Sequence, residues 1–163
     1  MKAGDPADDA DAWYRAVNNS THVRRGRFHH AEFKRWLSPP DDPQKSWKLE
    51  VSGDLLSLVD DIAKRAEKYV ESQRNRLKSE GKPVPSIFQF CGVLYVKVAK
   101  IRSLAQFRCD VIYDPLPDDD AHANIVVFDK GPDEILTVSD ALSENLVWVP
   151  KDQISTDRAL SSA

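Results

Sequence analysis

Asp54 to Glu80 reads DLLSLVDDIAKRAEKYVESQRNRLKSE. Leu55, Leu58, Val59, Ile62, Ala66, Tyr69, Val70, Gln73 and Leu77 recur there with a period near 3.6, so they form one stripe along a helix. Ser52 or Asp54 stands where an N-cap is needed, and Gly81 followed by Pro83 ends the pattern. Six acids and six bases occupy the span. Asp60 with Lys64 and Asp61 with Arg65 run acid-first at the i,i+4 spacing, each pair adding about 0.2–0.5 kcal/mol to the solvent face. A neutral amphipathic helix of this length reads as a scaffold that covers a sheet, not as a nucleic-acid probe.

Outward from it toward the C-terminus the pattern turns to strands. Ile87–Phe90, Val93–Val98, Gln106–Tyr113 and Asn124–Phe128 are rich in β-branched and aromatic residues. In the third of these, Phe107, Cys109, Val111 and Tyr113 alternate with Arg108 and Asp110, which predicts one wet face. Lys100–Ala105 and Asp114–Ala123 connect them. A short helix is expected near Val138–Leu146, then an edge strand Val147–Val149 stopped by Pro150.

Toward the N-terminus, Ser46–Ser52 alternates Trp47, Leu49 and Val51 with Lys48 and Glu50, as in a half-buried strand. Three prolines between Ser38 and Pro43 exclude helix there. His30–Leu37 reads as a short helix, because Phe33, Trp36 and Leu37 share one side. Ala12, Trp13, Ala16 and Val17 also fall at helical spacing, ahead of the turn-favouring Asn18-Asn19-Ser20. The expected fold is therefore α+β: a mostly antiparallel sheet of four or five strands covered by one long helix, with short N-terminal helices. One domain spans 11–154, between a flexible acidic start at 1–10 and a flexible tail at 155–163.

The 163 residues carry 23 bases against 26 acids, a formal charge of −3. With 41% apolar residues the chain buries a real core, which excludes a wholly disordered protein. Its longest apolar stretch, Gly92–Ile101, is broken by Lys97 and Lys100, short of the roughly 18 residues of a spanning helix. No membrane partner is expected. Met1-Lys2 leads into acidic residues instead of an apolar signal core, and Cys91 and Cys109 are too few for a disulfide framework. Both observations point to a cytoplasmic protein with free thiols.

Charge is distributed unevenly. From Thr21 to Trp36 five bases (Arg24, Arg25, Arg27, Lys34, Arg35) face Glu32 alone, and His22, His29 and His30 lie in the same run. From Asp114 to Asn145 nine acids, among them Asp114, Asp118, Asp119 and Asp120, face Lys130 alone. Two prolines stiffen the start of this second segment before it enters a strand at His122. The two segments either neutralise each other or meet at a binding site. Complementary surfaces of this kind suit an accessory protein that docks a protein partner, with Arg24, Arg25, Arg27 and His29 as the partner- or anion-binding set. The alternative is a metal-independent, toxin-like or processing enzyme acting on RNA or another phosphate ester. His30 and His122 would then transfer protons, with the arginines as anion clamps.

Nucleic-acid binding would draw on Phe28, Phe33 and Trp36 between the basic residues, although Phe33 and Trp36 also fit a buried helix face. No C-x-x-C or H-x-x-x-H pair predicts a metal site, and no phosphate-loop, dinucleotide or nucleophile-elbow motif predicts a cofactor. Asp118-Asp119-Asp120 lacks the glycine and terminal glutamate of a calcium loop.

Overall fold

A computed structural model describes residues 1–157 and Leu160 of the chain. In chain order the elements are β1 (Ala12–Asn19), β2 (Val23–Arg24), β3 (Arg27–Phe28), β4 (Leu49–Leu55), α1 (Ile62–Ser79) and β5 (Phe88–Lys97). They continue with α2 (Val98–Arg102), β6 (Cys109–Tyr113), β7 (His122–Val127), α3 (Ile135–Ser143) and β8 (Val147–Pro150). Six strands form one sheet in the order β6-β7-β4-β1-β5-β8, every pairing antiparallel, while β2 and β3 form a separate hairpin. The α+β class with a mostly antiparallel sheet holds. The sheet has six strands instead of four or five, and the long helix is 18 residues, shorter than the stripe predicted.

The extra strand is β1, which replaces the helix expected after Asp11. Its side chains are buried on both faces: Trp13 and Val17 on one, Ala12 and Tyr14 on the other. A strand without a wet face shows no polar alternation, and its apolar residues fall at helical spacing by coincidence. Seven register pairs with β5 hold it in the sheet. The helix boundary differs for a related reason. Asp61, not Ser52 or Asp54, caps α1, accepting the Lys64 N–H at 2.9 Å. Leu55 belongs to β4 and Leu56–Leu58 to a 3-10 turn, so the first turns of the predicted stripe pack elsewhere.

Two predicted strands, 87–90 and 93–98, are one. β5 runs through Gly92, whose φ of 154° and close approach to the Val149 carbonyl and Trp148 ring leave no room for a side chain. The segment 30–37 is a 3-10 helix over His30–Arg35, and the connection after Lys100 begins inside α2. β8 is an edge strand, as its Pro150 suggested.

One face of the sheet packs Trp13, Leu49, Val51, Leu94, Val111 and Ile125 against Phe33, Ile101, Val138 and Leu142. The other packs Tyr14, Phe90 and Val93 against Ile62, Ala66 and Val70 of α1. Each of these large apolar side chains contributes about 1.5–3 kcal/mol on full burial. Residues 4–7 lie along the outer side of β6: Gly4 N–H donates to Tyr113 O at 2.8 Å and Ala7 N–H to Val111 O at 2.9 Å. Their backbone covers a sheet edge that would otherwise offer free pairing groups. Of the tail, 158–159 and 161–163 lie outside the described residues, while Ile154 and Leu160 are buried beside α1. No helix among the described residues is long and apolar enough to cross a membrane.

The two central strands stay together only briefly. β1 and β4 pair at Trp13↔Leu55 and Tyr14↔Asp54, after which β1 follows β5 and β4 follows β7. The Trp13 indole crosses Gly53 at this fork and donates Nε1–H to Ala123 O at 3.1 Å. Beyond the fork the guanidinium of Arg15 occupies the gap, donating from Nη1 to Ser52 O at 2.8 Å. A side chain thus satisfies a carbonyl from which the neighbouring strand has diverged.

Candidate functional site

Val23 to Phe28 is a tight hairpin, with Val23↔Phe28 and Arg24↔Arg27 as register pairs. Arg25 (φ 52°) and Gly26 (φ 75°) are consecutive left-handed residues, the pattern of a type I′ turn, which matches the strand twist but favours Asn, Asp or Gly at both places. An arginine in the first place costs about 1 kcal/mol or more of backbone strain. The root of the hairpin is fixed. Phe28 is buried, with its ring 5.4 Å from that of Trp36 and 6.2 Å from that of Trp148, and Trp148 Nε1–H donates to Gly26 O at 2.9 Å.

Arg24, Arg25 and Arg27 are exposed and join no ion pair among the described residues. Arg24 Nη1 lies 3.4 Å from His29 Nε2. His30 is exposed and meets Phe28 edge-on at 5.8 Å. Phe28 and Phe33 are buried, so neither offers a free stacking face for a base.

The acidic loop is tied down by other bases. Lys45 Nζ pairs with Asp114 at 2.7 Å, Asn124 Nδ2 donates to the same carboxylate at 3.0 Å, and His122 Nδ1 lies 2.6 Å from Asp114 O. Leu116 and Asp119 exchange backbone hydrogen bonds of 2.8 and 3.0 Å, closing a turn, and Arg65 bridges Asp119 to Asp54. Asp118 and Asp120 carry no ion pair among the described residues. The basic and acidic segments therefore do not neutralise each other.

Between them lies the cleft that opens where β1 and β4 diverge, about 560 Å³ in volume. His22 and Trp36 line it from the basic segment, and Leu116, Asp119 and His122 from the acidic one. Arg15 stacks over the Trp36 ring at 4.3 Å. Burial pushes the Arg15 guanidinium down to about 10, and the charges of Tyr69 and Asp54 offset only part of this. Burial, and then the charge of Asp119, hold the Asp54 carboxyl above the usual carboxylate range against the pull of Arg65. The Tyr14 phenol, beside Asp54, is pushed upward chiefly by burial. Burial also lowers His22, although Glu32 at 3.7 Å works in the opposite sense.

His122 lines this cleft and His30 does not, so this cleft does not join the pair proposed for proton transfer. Arg24, Arg25, Arg27 and His29 also stand outside it. Sequence reasoning passes over Arg15, Asp54 and Arg65, which reach the cleft from β1, β4 and α1. One signal is present: Arg15 is the lone charge within Ala12–Val17, an odd feature for a segment this apolar. Comparisons with protein-family models, curated proteins and solved structures return no match for this chain.

Proposed function

We propose that this protein is a cytoplasmic, non-enzymatic accessory module that docks a protein partner by segregated charge, with the arginine hairpin as the contact for an acidic surface. The observation that carries the reading is the hairpin itself: Arg24, Arg25 and Arg27 on a tethered tight turn, none of them paired with a carboxylate of this chain among the described residues. Tethering at Gly26 and Phe28 removes much of the ordering cost that mobile basic tails incur on binding. The strain at Arg25 points the same way, because left-handed backbone at a residue other than glycine clusters at functional sites. On the opposite charge, the exposed Asp118 and Asp120 of the acidic loop, which carry no ion pair among the described residues, are the acidic complement that steers the partner and fixes its orientation.

The test is capture of partners from native lysate by wild type and by the triple variant R24E, R25E, R27E, each at low and high salt. The reading expects a partner held by wild type at low salt, released at high salt and not retained by the triple variant. Equal retention by the triple variant removes the hairpin from the interface.

A further inference from the structure

We propose that the cleft between β1 and β4 binds a small organic anion, a phosphate or carboxylate carried on a flat ring, with the anionic group seated on Arg15. This goes beyond the docking reading, since the cleft is lined by neither Arg24, Arg25 nor Arg27.

Arg15 is the first support. A guanidinium has five N–H donors in a fork that matches two anionic oxygens. Here one hydrogen bond, to Ser52 O, and the face of Trp36 are its partners. Arg65 and Arg102, by contrast, each bridge two carboxylates. No carboxylate lies within ion-pair distance of Arg15 among the described residues, although the chain has an excess of acids. A half-buried cation without its counter-ion is the condition that an incoming anion relieves.

Second, Asn18 and His22 line the same cleft, and each holds a buried polar atom with no partner, Oδ1 of Asn18 and Nδ1 of His22. Both atoms are sealed from solvent and so do not touch a guest; they leave the wall around Arg15 polar, and the seat itself is the guanidinium. Third, the walls are aromatic. Trp36, Tyr69 and Phe88 line the cleft, and Tyr69 is 54% exposed although it sits on the helix that covers the sheet. A flat ring would cover Tyr69 and Phe88, the face of Trp36 being taken by Arg15. Fourth, Asp54 and Asp119, held by Arg65, provide acceptor oxygens for hydroxyl or amino groups on the guest. The volume lies in the range of small-molecule sites.

The experiment is calorimetric titration of the full chain, with adenosine monophosphate and 4-hydroxybenzoate as ringed anions, and adenosine and 4-hydroxybenzamide as their neutral counterparts. At least one anion is expected to bind saturably, with its neutral counterpart about tenfold or more weaker, the size of one charge-assisted contact. The phosphate and carboxylate arms identify which head group the seat prefers. Arg15→Gln abolishes the difference between anion and neutral counterpart, and Arg15→Lys, which keeps the charge but loses the fork, retains a reduced one. The triple hairpin variant binds like wild type, which separates this site from the docking surface. Absence of saturable binding of either anion to wild type at millimolar concentration overturns the proposal. So does a folded Arg15→Gln variant that binds the anion as tightly as wild type. If Arg15→Gln does not fold, wild type alone suffices: an anion held no more tightly than its neutral counterpart overturns the proposal, and a tenfold preference supports it.

Discussion

Arg25 and Gly53 show how single backbone positions set the terms for this molecule. Arg25 occupies a left-handed position where asparagine is more comfortable. Arg25→Asn is expected to raise stability by about 1 kcal/mol in denaturant titration while weakening partner capture. Gly53 is the reverse case. A Cβ there would strike the Trp13 ring and the Tyr14 carbonyl at the fork of the sheet. Gly53→Ala should therefore cost about 3 kcal/mol or more, since neither backbone nor a buried indole can yield easily. Asp54 gives a pH signature. Its carboxyl is held above the usual range, so the folded state keeps that proton after the unfolded chain has released it. Between those two midpoints stability falls as pH rises, and the difference between wild type and Asp54→Asn, measured by urea unfolding at several pH values, should decline across that window. Such features are hard to foresee: the sequence places Gly53 and Asp54 ahead of an apolar stripe, and their meeting with Trp13, Arg65 and Asp119 is entirely tertiary.

At the scale of elements, legibility follows solvent contrast. β6, β7 and β8 lie within two or three residues of their expected positions because turn residues and edge signals bound them, and α1 is recognisable because its exposed side is charged. β1 reads as a helix because both of its faces are covered. The start of α1 is displaced because Leu55 and Leu58 continue its stripe by coincidence, while the true cap, Asp61, sits among other acids. The hairpin is an element whose function depends on one tether. Trp148→Phe keeps the ring contact with Phe28 and loses the N–H donated to Gly26 O. It is expected to cost about 1 kcal/mol and to speed amide exchange at His29, whose N–H donates to His22 O at the root of the hairpin. Unchanged exchange would show that Phe28 alone holds the turn.

For the whole molecule, the hydrophobic pattern indicates an α+β chain without a spanning helix, but not where the charged segments lie in three dimensions. Each sends side chains to the wall of the cleft at the sheet fork, but only part of the acidic one is neutralised, Asp114 by Lys45 and Asp119 by Arg65, while the hairpin arginines stand outside the cleft and unpaired among the described residues. That arrangement follows from Arg65 and Lys45 being nearer in space, a fact that linear charge counts do not contain. The thiols add a further consequence of the packing. Cys109 is buried, its pKa raised to about 12 by burial with Asp110 and Asp129 adding to it, and Cys91 is half-buried. Burial raises both thiols above the ordinary cysteine range, the opposite of the shift that activates a nucleophile.

The hairpin's part in docking is tested most directly by the dissociation constant of a captured partner against ionic strength, for wild type and for R24E, R25E, R27E. For wild type, affinity should fall about tenfold or more between low and high salt as screening shortens the reach of the arginines. The triple variant should be weak at both. Equal affinities for the two proteins across the salt series would contradict a docking role for these three residues.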